Sequence, residues 1–147
     1  MFNRRRMLCT MAALPTLAFA RPALAREPLG FGELYKSFGV LGLEFSDKVK
    51  RLNGQGVTVR GFMAPPLKAE ADFFVLTEIP MSLCPFCSSD ADWPDNILVV
   101  YLDRKQTFVQ YNAPIEAEGI LEYGSWVDPD TGFVSQLRLR DAAFSTV

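Results

Sequence analysis

"GVTVRGFMAPP", Gly56 to Pro66, is the stretch on which the fold turns. From Val57 to Met63 apolar residues alternate with others, and Val and Thr are β-branched. That period of two describes a strand with one buried face. Pro65 and Pro66 stop it, since neither can donate to a strand ladder. Gly61 falls inside the strand, where a glycine marks a bulge or a sharp bend.

The same logic runs toward the C-terminus. Asp72 to Ile79, "DFFVLTEI", reads as a second strand, more buried because Phe73 to Leu76 are all apolar. Ile97 to Leu102, "ILVVYL", is a third of the same kind. Ile115 to Glu122, "IEAEGILE", alternates as a fourth and carries Gly119, and Phe133 to Leu139 alternates as a fifth. Gly124, Asp128-Pro129 and Asp130-Thr131-Gly132 read as turns. Five short strands with no long helix between them predict a mainly β protein. The expected form is a small five-stranded OB-fold-like barrel over residues 53–147, with another small barrel or sandwich as the rival. Phe62, Phe73, Phe74, Tyr101, Phe108 and Phe133 are expected in its core, and Glu116, Glu118 and Glu122 on a solvated strand face.

Residues 26–52 read as an N-terminal extension with short helices. Arg26 to Gly30 is a leader, and Phe31 to Phe38 is expected as a helix ended by Gly39. Leu43 to Phe45 has no clear period. Ser46-Asp47 has the form of an N-cap before Lys48 to Leu52, closed by Asn53-Gly54.

Residues 1–25 have the order of a signal peptide. Arg4, Arg5 and Arg6 form a positive n-region, and Met7 to Ala20 is apolar except for Thr10, Pro15 and Thr16. Ala23-Leu24-Ala25 is a small-x-small cleavage site. The apolar run is shorter than the roughly 20 residues a bilayer span needs. Asn3-Arg4-Arg5-Arg6-Met7-Leu8 resembles a twin-arginine signal, with the general secretory route as the alternative. The expected location is periplasmic or secreted, with no stable membrane span after cleavage.

Cleavage changes the charge. Fifteen Lys and Arg, less Arg4, Arg5, Arg6 and Arg21, leave 11 against 17 Asp and Glu, a net −6. An acidic chain has no field with which to displace counterions, which argues against nucleic acid as a partner. The sequence contains no histidine. That excludes a Ser-His-Asp triad and removes the commonest metal ligand.

"GVTVRGFMAPP", "FFVLTEI", the cysteine loop, "ILVVYL" and "IEAEGILEYG" together resemble a group of exported bacterial proteins of unknown function. The resemblance covers roughly Asn53 to Asp141. It implies a signal peptide, an OB-fold-like barrel and a cysteine-proline loop after the second strand. Some of that group are encoded near ABC transporters, which implies an envelope transport component as a partner.

The chemistry-bearing motif is "SLCPFCSSDADWP", Ser82 to Pro94. Three readings of Cys84-Pro-Phe-Cys87 stand open. Two thiolates, supported by Asp90 or Asp92, can hold a thiophilic ion such as zinc or copper(I). A thiol–disulfide oxidoreductase is the second reading, although the nearby acids raise a thiol's pKa and no strand-to-helix junction is evident. An inert local disulfide in a structural interaction protein is the third. Phe86, between the two cysteines, and Trp93, after them, are candidate contact residues, and Trp126 is expected in a loop. The functional expectation is an exported binding or accessory module, more so than an enzyme.

Overall fold

The computed structural model describes residues 25–39, 42–66, 72–83 and 93–147. The chain is mainly β. In order it runs β1 (Glu27–Pro28), a 3-10 turn (Phe31–Glu33), β2 (Tyr35–Gly39), β3 (Gly42–Phe45), α1 (Asp47–Leu52), β4 (Gly56–Met63), β5 (Phe73–Thr77), β6 (Ile97–Leu102), β7 (Pro114–Val127) and β8 (Val134–Thr146). Among the described residues no helix is long and apolar enough to cross a membrane.

The five strands expected from the sequence all form, and their pairings return to the start. β4 pairs antiparallel with β5, and β5 with β6. β6 then pairs parallel with β8, β8 antiparallel with β7, and β7 antiparallel with β4. The inward residues share one core that includes Val57, Val59, Phe74, Leu76, Leu98, Val100, Ile115, Leu121, Leu137 and Leu139. On the outer side Val75, Ile97 and Ala64 form a second, smaller cluster under Trp93 and Phe133. This explains why β5 and the first four residues of β6 lack alternation. Both of their faces are covered.

Gly61 is where β4 changes partners. Residues Val57 and Thr58 lie beside the parallel strand β1, whereas Phe62 and Met63 lie beside β5. A Cβ at Gly61 would stand 2.5 Å from the Thr77 carbonyl oxygen, so only glycine permits the approach. Gly119 is equally confined, with the Arg140 carbonyl oxygen 2.8 Å from a built Cβ. It lies at the register shift where Asp141 adopts φ +47°.

The N-terminal extension differs from expectation. Within Phe31 to Phe38 only Phe31–Glu33 turns, as a 3-10 helix, and Tyr35–Gly39 is a strand paired with Gly42–Phe45. Gly32 and the aromatics of "FGELYKSF" favour helix weakly, and the hairpin gives this backbone a ready partner. The N-cap reading of Ser46 holds: its hydroxyl accepts from the Val49 N–H at 3.1 Å. α1 sends Val49 and Leu52 into the main core.

β7 and β8 are longer than the sequence patterns suggested. Gly124 does not turn the chain. It has φ +105° inside β7, at a register shift between Tyr123 and Trp126. Trp126 therefore lies on a strand, not in a loop. The reversal comes at Asp128, whose Oδ1 accepts from the N–H groups of Asp130 and Thr131 at 2.8 and 3.0 Å.

Candidate functional site

The connection between β5 and β6 rises from a rigid stem. Thr77 pairs with Ile97, and the Glu78 N–H donates to the Asn96 carbonyl at 3.1 Å. The buried Thr77 hydroxyl donates to the Ile79 carbonyl at 2.7 Å, which fixes the chain as it leaves the sheet. On the return side the Trp93 indole N–H donates to the Tyr35 hydroxyl at 2.7 Å. Tyr35 stacks on Phe45, and Phe45 meets Tyr123, with centroids 5.3 and 5.1 Å apart. The end of the connection is thus tied to the β2–β3 hairpin and through it to β7. Burial pushes the Tyr35 hydroxyl up to about 12, opposed by the Trp93 hydrogen bond and assisted by the Asp95 charge.

Cys84, Phe86, Cys87, Asp90 and Asp92 lie outside the described residues, as does Ala23. Ala25 is described and exposed. Of the residues singled out in the motif, Trp93 is half-buried and serves both core clusters. On the outgoing side Ile79 and Leu83 are 54 % and 80 % exposed. Among the described residues no group of three or more potential metal ligands comes together.

A second cluster sits at the other end of β6, four residues or about 13 Å along the strand from Ile97. Arg138 and Arg140 alternate on β8 and face Glu122 on β7. Glu122 Oε2 accepts from Arg138 Nε at 2.9 Å and from Arg140 Nε at 3.1 Å. Arg138 is buried, and its Nη1 also donates to the Gly124 carbonyl at 2.8 Å. The Arg140 guanidinium lies 3.8 Å from the Trp126 ring centroid and 4.8 Å from that of Tyr101. Tyr101 meets Trp126 edge-on at 5.3 Å and Phe73 at 5.1 Å.

Burial alone would push the Glu122 carboxyl up. Hydrogen bonds from Arg140 and Arg138 outweigh it and hold the carboxyl below its ordinary range. Burial also pushes the Tyr101 hydroxyl upward, and the Asp128 carboxylate adds to this. That hydroxyl is shielded from solvent beside the Asp128 carboxylate.

Sequence reasoning missed this cluster. The alternation places Glu122 on a solvated face, where its side chain is indeed 38 % exposed, but it gives no role to Arg138 or Arg140. The available signal was Arg-Leu-Arg on one strand of a hairpin whose partner strand carries an acid and a tryptophan.

No protein-family model matches the sequence. No curated protein matches it either. Among solved structures the chain is similar to a DUF3299 family protein from Pseudomonas aeruginosa PAO1. That match has a TM-score of 0.54 and 13 % identity, over 84 % of this chain and 97 % of that one. At such identity the likeness speaks to fold alone.

Proposed function

We propose that the protein is an exported binding or accessory module on an OB-fold-like barrel, presenting its ligand site on the β5–β6 connection. Support for the barrel is the cyclic order β4–β5–β6–β8–β7 with a parallel β6–β8 pairing, which suits a closed five-stranded Greek-key ring. Export rests on the signal features of residues 1–25, and delivery to the periplasm follows from them.

The observation that carries the functional reading is the stem. A connection of seventeen residues, 79–95, stands between two strands buried on both faces and is pinned at Trp93. Connections longer than about 12–15 residues inside a small domain are usually functional, and a rigid scaffold is what makes such a loop useful. This one carries Cys84 and Cys87. Their ligand in this proposal is a thiophilic ion, zinc or copper(I), with Asp90 or Asp92 in support and Phe86 as a contact residue. An envelope transport component is the proposed recipient.

Two assays on the purified mature protein separate this from its rivals. Metal retained by the reduced protein, with no turnover of a dithiol substrate, supports the module. Dithiol turnover makes the protein a thiol–disulfide oxidoreductase. An oxidised pair with neither property makes it a structural interaction protein with an inert disulfide.

A further inference from the structure

We infer that Arg140 anchors an oxyanion site at the end of β6, which receives the paired oxygens of a carboxylate or phosphate. The guanidinium lies over the Trp126 ring at 3.8 Å and over the Tyr101 ring at 4.8 Å, contacts that restrain it before any ligand arrives. Its Nε is engaged by Glu122. Its two terminal nitrogens have no hydrogen-bond partner among the described residues, and the side chain is 27 % exposed. A restrained planar fork with its outer donors unused matches two coplanar oxygens.

The cluster sets two cations, Arg138 and Arg140, against two acids, Glu122 and Asp128. Arg138 and Arg140 share a single carboxylate, Glu122. Asp128, the other acid in the cluster, already accepts two backbone N–H groups of its own turn through Oδ1. Arg138 is buried and bonded to Glu122 and the Gly124 carbonyl, so it contributes charge without competing for the ligand.

The test uses the two tryptophan indole N–H resonances of the mature protein, assigned with Trp126→Phe. Acetate and inorganic phosphate are titrated in separate arms at constant ionic strength, with chloride as the balancing ion. The expected result is a saturable shift of the Trp126 resonance while that of Trp93 stays still. Saturation in the acetate arm alone identifies a carboxylate, and in the phosphate arm a phosphate. Arg140→Lys keeps the charge and removes the fork, so the saturable shift should fall at least tenfold in affinity. An unsaturable drift in the wild-type protein in both arms overturns the site, whether or not the variant folds. So does an unchanged response in a folded Arg140→Lys protein.

Discussion

Trp93 donates its indole N–H to the Tyr35 hydroxyl across 2.7 Å, joining the returning end of the β5–β6 connection to the N-terminal hairpin. Tyr35→Phe removes the acceptor and leaves the ring stacked on Phe45. A loss of about 1 kcal/mol at neutral pH is expected from one part-buried hydrogen bond. The pH profile adds a second signature. The Tyr35 hydroxyl is raised to about 12, from an ordinary value of roughly 10. The unfolded chain therefore ionises first as pH rises. The contribution of this group is complete below pH 10 and lost as pH passes to about 12, on the order of 2 kcal/mol. Urea titrations across that range should show the fall in the wild type and a smaller one in Tyr35→Phe. Identical pH dependence in both would refute the assignment.

Gly61→Ala should cost about 1–3 kcal/mol, because the new methyl meets the Thr77 carbonyl oxygen at 2.5 Å and backbone must shift. Thermal unfolding of the pair of proteins measures it. A neutral result would mean that β4 does not bend there as described.

Asp141 is exposed and has φ +47°. Asp141→Gly should stabilise the fold by up to about 1 kcal/mol, since glycine accepts the left-handed conformation without the Cβ penalty. A destabilised variant would show that the aspartate side chain has a part in holding the β7–β8 register shift.

Glu122→Gln strips the charge that two arginines share. Arg138, with only 8 % of its side chain exposed, loses its carboxylate partner. The Gly124 carbonyl still accepts from it, so the expected loss is up to about 3 kcal/mol, the low end for a broken buried pair. Acid unfolding provides a further reading. Glu122 has a lowered pKa, so its contribution is present above the ordinary carboxylate range and fades as pH falls below it. That acid-side component should be missing from the Gln variant.

The strands were legible because burial leaves a period in the sequence. "VTVRGFM" alternates against one core, and "ILVVYL" does not alternate because Val99 and Ile97 are covered from outside as Leu98 and Val100 are from within. The two in-strand glycines, Gly61 and Gly119, were legible for the same reason: a position with no room for Cβ admits one residue. The hairpin Tyr35–Gly39 with Gly42–Phe45 was not legible, since its pairing depends on a partner and its own propensities are mixed. Nor was the arginine cluster. Arg138, Arg140, Glu122 and Tyr101 come from three strands, and only the register of β6, β7 and β8 brings them together. The bulge at Gly124 concealed Trp126, because a glycine there reads as a turn.

The most direct measurement is a calorimetric titration of the reduced mature protein with zinc and copper(I) under argon, beside the Cys84→Ser/Cys87→Ser double variant. The wild type should take up one ion with release of protons, because the ligands must be thiolates. The double variant should bind none while keeping its urea stability, since neither cysteine is among the residues of the described stem and core. Equal affinity in the double variant, or no uptake by the reduced wild type, would contradict the metal-binding proposal.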